Sequence, residues 1–313
     1  MNRQQMIGEA REILAKTGFY LSQELDTRSI SFDFVARRDD MLLVAKVFLN
    51  IDSLGRKCSQ ELKIIASCLE GSPLLLGKRS GSGQLEDGAI YSRFGIPILS
   101  IGTLRDFLVE GVPPFMFSAP GGLYVKLDSS VIRKAREKKN ISLGTLAEMA
   151  GVSRRAIQMY EDGMGATIEV ALKLEEFLKE PIVQAVNPFR MIPDADQILM
   201  SWDQLNAFER DVFEHLSMLG YSIIPTIRCP FDALTRDKKV ILLTGLERRQ
   251  GDLSTKAKVV ADISSVVEKD SVIFVRRLTM KQNIEGTPII RKEELKKLRD
   301  REEMLDMISE RKK

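Results

Sequence analysis

Cysteine and histidine are scarce in this chain: Cys58, Cys68, Cys229 and His215 are all it has in 313 residues. Their spacing fits no CxxC or zinc-knuckle pattern and the thiol count is odd, so neither a structural metal nor a disulfide framework is expected. The three thiols read as small buried hydrophobes. No apolar run approaches the ~20 residues that a membrane span needs, and the opening Met-Asn-Arg-Gln-Gln lacks the apolar stretch of a secretory signal; a cytoplasmic protein is expected. Charge of one sign is also not in excess. Lys and Arg number 47 against 44 Asp and Glu, a net charge of +3, so a nucleic-acid partner cannot be inferred from composition and must be sought in the local distribution of charge. With 44% hydrophobic and 29% charged residues the chain is of ordinary globular type, long enough for two or three domains of ~150 residues.

Prolines and glycines mark two joints, residues 111–122 (GVPPFMFSAPGG) and 181–197 (PIVQAVNPFRMIPDADQ). They divide the chain into blocks 1–122, 123–180 and 198–313. The outer two read as one unit written twice. A helical pattern (Met6, Ala10, Ile13, Leu14) stops at Gly18 before an aromatic-led run, as it does around Val212, Leu216, Leu219, Gly220 and Tyr221. SFDFVARRDDMLLVAKVF from Ser31 then aligns without gaps with PFDALTRDKKVILLTGL from Pro230, Asp33 on Asp232, each reading as strand, charged turn, strand. A helix follows near 60–69 and 254–267, then a buried strand at 74–76 and 271–275. GIPILSIGTLRDFL and GTPIIRKEELKKL end the two blocks alike, with Leu104 and Leu295 opening an apolar helix face. Five matches in the same order predict a duplicated α/β domain.

Between the copies lies VIRKAREKKNISLGTLAEMAGVSRRAIQMYEDGMGATIEVALKLEEFL. A helix-turn-helix needs two helices joined by a tight turn, the second able to lie in a major groove. Ala147 permits close helix packing, Gly151 can take a left-handed backbone angle, and Val152 plugs the corner. Ser153 and Ser142 are expected to cap the two helices. Ile157 and Tyr160 give the second helix its inward stripe, and Leu143, Leu146 and Met149 or Ala150 that of the first. Facing outward are Arg154, Arg155, Gln158 and Met159. Arg can bond a guanine edge and Gln an adenine edge in bidentate fashion, and the helix N-terminus offers N–H groups to phosphate. From 131 to 165 there are seven Lys or Arg and four acids. Arg133, Lys134, Arg136, Lys138 and Lys139 cluster on the preceding helix and should add salt-sensitive attraction to the backbone.

These residues resemble the lambda-repressor and Cro-like helix-turn-helix class, whose pattern runs LA, GVS, an apolar residue, then E-x-G: Leu146-Ala147, Gly151-Val152-Ser153, Ile157 and Glu161-Asp162-Gly163. The resemblance covers about 50 residues. Leu143 and Gly144 depart from it, since relatives often carry Gln and Glu there and a Leu cannot make the phosphate contact. The whole arrangement, flanking blocks included, is similar to an archaeal family of helix-turn-helix transcriptional regulators. That resemblance implies double-stranded DNA as partner, with Ser153, Arg154, Arg155, Gln158, Met159, Ser142, Arg133, Lys134 and Lys138 as the DNA-binding set.

The outer blocks are similar to the restriction-endonuclease-like fold, in which an Asp and an acid two residues before a Lys hold a divalent ion. Asp33 and Lys46 supply the first and last of these, but Val44 stands where the second carboxylate belongs, and Asp232 is followed by Leu243-Thr244-Gly245 with neither acid nor Lys. A surviving nuclease could recruit Glu61. The favoured reading is that both copies are catalytically silent and serve as dimerisation, DNA-clamping or ligand-sensing scaffolds. From Arg291 to the end, nine basic and seven acidic residues surround Leu295, Leu298, Leu305 and Ile308, which suits a docked amphipathic helix better than a coiled coil. Residues 77–83 (GKRSGSG) read as a flexible basic loop that lacks a phosphate-loop ending, a disordered hairpin or a DNA-touching loop being the better reading. The expectation is therefore an α+β multidomain protein, an all-α helix-turn-helix between two degenerate restriction-endonuclease-like α/β domains. It is expected to act as a homodimeric DNA-binding regulator joined through the outer blocks, without cofactor or metal and with no effector assigned. A metal-dependent nuclease and a protein-interaction scaffold are the alternatives.

Overall fold

The computed structural model describes residues 1–25, 30–190, 205–247, 253–276 and 281–312; the end of the second joint, from 191, and the start of the last block lie outside them. Two compact units are present: Met1–Ile13, Phe48–Ser53 and Leu74–Met191 form one, and Leu14–Val47, Leu54–Pro73 and Ile192–Lys313 the other. In chain order the first stretch contains α1 (Arg3–Lys16), β1 (Tyr20–Leu21), β2 (Phe34–Arg38), β3 (Met41–Asn50), α2 (Arg56–Cys68), β4 (Ser72–Ser80), β5 (Gly83–Gln84), β6 (Ala89–Arg93), β7 (Ile96–Leu99) and α3 (Ile101–Leu108). The apolar stripe of α1, with Met6, Ala10, Ile13 and Leu14, is buried, and Gly18 ends the segment at φ 86°. The run from Leu42 to Val47 is buried at every position, as a strand covered on both faces must be.

The middle stretch adds β8 (Met116–Ala119), β9 (Gly122–Leu127), α4 (Ser129–Lys138), α5 (Leu143–Ala150), α6 (Arg154–Glu161), α7 (Ile168–Leu178) and β10 (Val183–Gln184). The last has α8 (Ala207–Met218), β11 (Ser222–Pro225), β12 (Ala233–Arg236), β13 (Ile241–Leu246), α9 (Leu253–Val267), β14 (Asp270–Val275), β15 (Asn283–Ile284), β16 (Thr287–Arg291), α10 (Lys292–Leu295) and α11 (Arg301–Lys312). The outer stretches share their pairing rules. β1, β2 and β3 pair antiparallel in succession, as do β11, β12 and β13. β4 runs parallel to β7 and β7 antiparallel to β6, as β14 does with β16 and β16 with β15. The fold is α+β multidomain, with mixed sheets in the outer stretches and, in the middle one, four helices flanked in sequence by β9 and β10. Among the described residues no helix is long and apolar enough to cross a membrane.

Three local expectations need correction. Residues 111–122, read as a joint, contain β8, which pairs parallel to β6 and antiparallel to β9; sheet pairing overrides the breaker residues at either end. Residues 77–80 are the end of β4, which pairs antiparallel with β5, so the hairpin reading of 77–83 stands but its first half is ordered strand. Gly77 is buried and packed so closely that a Cβ there would lie 2.3 Å from Ile51 Cγ2, and the turn beyond is held by Asp52, whose Oδ2 accepts from Gly81 N at 2.6 Å. Of the C-terminal apolar residues Leu295 ends α10, Leu305 and Ile308 lie on α11 and Leu298 falls between the two helices, and Leu295, Met304 and Ile308 are buried in the core of their own block. Arg291 and then Arg311 hold the Glu294 carboxyl far below the usual carboxylate range.

The central helices are tied to the β8–β9 hairpin. Val125 and Ala166 form an antiparallel bridge, β10 pairs with β9, and Asp128, the N-cap of α4, also accepts from Gln184 Nε2 at 2.8 Å. Gly165 makes the close approach possible: a Cβ there would meet Phe117 Cζ at 2.7 Å and the Val125 carbonyl at 2.8 Å.

Two outcomes follow. Gly165→Val should lower stability by about 1–3 kcal/mol, read from the urea midpoint. Because the folded Glu294 carboxyl titrates below its ordinary value of 4.5, it stabilises the fold above that pH and the contribution disappears as pH falls; Glu294→Gln should flatten the acid limb of the stability curve.

Candidate nucleic-acid interface

The α5–α6 turn forms as the side chains require. Gly151 is the C-cap of α5 at φ 72°, ψ 35°, a left-handed conformation that costs glycine little. Ser142 Oγ accepts from Thr145 N at 3.0 Å and Ser153 Oγ from Ala156 N at 3.1 Å, so each opens its helix with an N-cap, and Ser142 Oγ also shares a hydrogen bond with Thr145 Oγ1 at 2.9 Å. Leu146, Ala147, Ala150, Ile157 and Tyr160 form one core with Leu174 and Leu178 of α7. Of the two candidates for the inner face of α5, Ala150 is buried and Met149 is exposed. Arg154, Arg155, Gln158 and Met159 all face outward and are exposed. The inward spacing of Ile157 and Tyr160 leaves these four no other side.

Arg154 also connects the two helix starts. A Cβ on Gly144 would lie 3.7 Å from Arg154 Cδ and 3.6 Å from Ser142 Oγ, so the arginine stem crosses the first turn of α5 where relatives of the class carry a long side chain. Two N-cap serines and one guanidinium thereby share a surface with free helix N–H groups, a combination suited to an anion.

The basic cluster on α4 divides into two sets. Arg136 Nε donates to Glu161 Oε1 at 2.6 Å and its Nη2 to Oε2 at 3.1 Å, a bidentate pair in which both side chains are largely buried. Glu161 raises the Arg136 pKa further above its already high value, chiefly through that hydrogen bond. Arg133 donates to the Glu161 carbonyl at 3.1 Å and to Asp162 Oδ1 at 3.3 Å. Lys139 Nζ donates to the Leu178 carbonyl at 2.6 Å, capping α7. Lys134 and Lys138, one turn apart, are exposed and make no ion pair among the described residues. The nine residues expected to touch DNA are thus not equivalent: Arg133 braces the end of α6, whereas Lys134 and Lys138 face solvent. Glu161, which joins α4 to α6, was not among them; its signal was the acid of the E-x-G ending.

The first α/β copy buries its charges. Lys46 Nζ lies 3.0 Å from Asp33 Oδ1 and donates to the Ile30 carbonyl at 2.5 Å, while Asp33 Oδ2 accepts from Val47 N at 2.8 Å. Glu61 is also engaged: its Oε1 accepts from Ile227 N and Arg228 N at 2.7 and 3.0 Å, and its Oε2 from Ser31 Oγ at 2.5 Å. Burial and then the Glu61 charge push the Cys229 thiol well above its ordinary pKa. With Val44 buried at the position of the second carboxylate, this donor set does not fit a divalent ion, which needs several uncommitted oxygens. Among the described residues no group of three His, Cys, Asp or Glu is placed to hold a metal.

The second copy contains a lysine that reading along the strand misses. Asp232 Oδ2 accepts from Leu246 N at 2.6 Å, the counterpart of the Asp33 bond to Val47, and forms an ion pair with Lys256 of α9. Gly245 occupies the strand position of Lys46, and a Cβ there would lie 2.7 Å from Ile273 Cγ1 and 3.5 Å from Lys256 Cε. The cation has moved from strand to helix. Asp262 of α9 accepts from Gln23 N at 2.5 Å, so each copy's helix takes a backbone donor from the loop before the other copy's buried Asp.

Two family models match parts of the chain. Residues 3–114 match the model of a PD-(D/E)XK superfamily domain and residues 132–184 that of a helix-turn-helix. Over nearly the whole chain there are relatives named "Putative HTH-type transcriptional regulatory protein". The one from Methanocella arvoryzae is 39% identical over 99% of this chain and 97% of its own. Those from Methanosarcina acetivorans and Archaeoglobus fulgidus are 35% and 33% identical, over 100% and 98% of this chain and 98% and 97% of theirs. No solved structure matches.

Glu161→Gln should lower stability by about 1–3 kcal/mol in urea unfolding, because it leaves a buried guanidinium half-paired, whereas Lys134→Ala and Lys138→Ala should each stay within about 0.5 kcal/mol.

Proposed function

The chain belongs to the archaeal family of HTH-type transcriptional regulatory proteins, and on that premise we propose that it binds double-stranded DNA sequence-specifically as a homodimer, with α6 in the major groove. The observation that carries this reading is the exposed row Arg154, Arg155, Gln158 on a helix whose opposite face, Ile157 and Tyr160, is buried. Arg154 and Arg155 read guanine edges, Gln158 an adenine edge and Met159 a thymine methyl. Ser142, Ser153 and the N–H groups beside them hold a phosphate, and Lys134 and Lys138 add attraction to the backbone. Arg133 contributes the charge its bond to Asp162 leaves unneutralised. Two such heads about 34 Å apart match successive major-groove faces, which is why the active form is a dimer.

We keep the three-part division 1–122, 123–180 and 198–313 as the working organisation, with both outer copies catalytically silent and the protein cytoplasmic. The closed Asp33–Lys46 pair and the engaged Glu61 support silence. A dimer joined through the outer copies uses faces other than those on which Glu61 and Asp262 already take donors.

Arg154→Ala or Arg155→Ala should relax base preference at one operator position, at a cost of about 1–3 kcal/mol, while Lys134→Ala should weaken all duplexes alike and reduce the salt slope by about one. Genome-wide footprinting identifies the operator, and unchanged specificity in both arginine variants defeats the placement of α6. Supercoiled and single-stranded DNA should survive Mg²⁺ and Mn²⁺; cleavage that Lys46→Ala abolishes would return the first copy to the nucleases.

A further inference from the structure

A cavity lies between α3 and α7 and contains none of the residues assigned above to DNA. Its volume is about 380 Å³ and its lining includes Val112, Phe115, Ile168 and Leu172, which are 51%, 41%, 39% and 58% exposed. Globular surfaces seldom leave so many large apolar groups together unless something covers them, and the volume lies in the ~300–1,000 Å³ range of small-molecule sites.

Charge narrows the occupant. The ionisable groups lining the cavity are two carboxylates, Asp106 and Glu175, with no Lys, Arg or His. Glu175 spends Oε1 on Ile182 N and Val183 N, at 2.8 and 3.0 Å. Asp106 is half-buried and its carboxylate makes no ion pair or hydrogen bond among the described residues. An apolar chamber with an uncompensated acid favours a molecule with an apolar body and a single cation, and the Phe115 ring adds a face that attracts ammonium groups. A second copy of the chain suits it less well, because a self-complementary contact places the same acidic rim opposite itself.

We propose that this cavity binds a small apolar amine, its hydrocarbon part among Val112, Phe115, Ile168 and Leu172 and its nitrogen at Asp106. Ala171 lines the cavity and belongs to the core that supports α5 and α6, so an occupant touches the helix on which the DNA-reading pair rests. The site itself stands without the DNA-binding reading.

Calorimetric titration of the full chain with phenylbutylamine, phenylbutanol and phenylbutanoic acid tests it. One amine should bind per chain, the alcohol about tenfold more weakly, and the acid not at all. Asp106→Asn should weaken the amine about tenfold and leave the alcohol unchanged, and Val112→Lys, at an exposed rim position, should reverse the preference between amine and acid. Equal binding of amine and acid, no binding of the amine, or an amine affinity indifferent to Asp106→Asn overturns the proposal. So does a concentration-dependent dimer that Leu172→Asp dissociates, since the rim then belongs to a second copy. No DNA enters the assay, so its failure leaves the assignment of α6 untouched.

Discussion

A charge removed from water must be met by a partner, and each part of this chain is organised around one such group. Asp33 is fully buried and Asp232 nearly so. Each accepts a backbone N–H from the neighbouring strand, and each is neutralised by a lysine. The two lysines come from different places, Lys46 from β3 and Lys256 from α9, so the constraint is on compensation and not on a sequence position. Desolvating a lone carboxylate costs several kcal/mol, enough for the loss of one lysine to be survivable only where another can reach.

The central helices obey the same rule with a different outcome. Glu161 sits at the end of α6 with 7% exposure and is met by Arg136 from α4, so one basic residue of α4 is turned inward to hold that helix end, while the exposed Arg133 reaches its backbone carbonyl. Local positive charge on α4 is therefore smaller than a count of its side chains implies. What is left for solvent is concentrated: Lys134 and Lys138 on one face, Arg154 and Arg155 at the start of α6. Phosphate attraction is additive whereas base contacts need fixed geometry; on α4 the Arg136 charge is committed to fixing the end of α6.

The helix-turn-helix was legible because its demands are local. A left-handed residue at Gly151, two serine caps and an inward pair three residues apart can each be read within one turn of chain. The strand-turn-strand rhythm around Asp33 and Asp232 was legible for the same reason, through a period of two and a charged turn. Features that depend on partners distant in sequence were not. The Arg136–Glu161 pair spans 25 residues, Lys256 is 24 residues from Asp232, and β8 is a strand because β6 and β9 flank it. Gly and Pro at the ends of 111–122 signal a break correctly, yet four residues between them suffice for pairing.

This distinction also bears on how the outer copies relate to catalysis. A nuclease centre keeps its acids separated from its lysine and open to an ion, which is electrostatically expensive while no ion is bound. Replacing the second carboxylate by Val44 removes that expense and allows Lys46 to close directly on Asp33. Glu61, the remaining acid near the first centre, then gains most by accepting the N–H groups of Ile227 and Arg228, where a carboxylate contributes to the contact between the duplicated halves. The closed Asp33–Lys46 pair and the bonds taken by Glu61 are on this view one electrostatic arrangement.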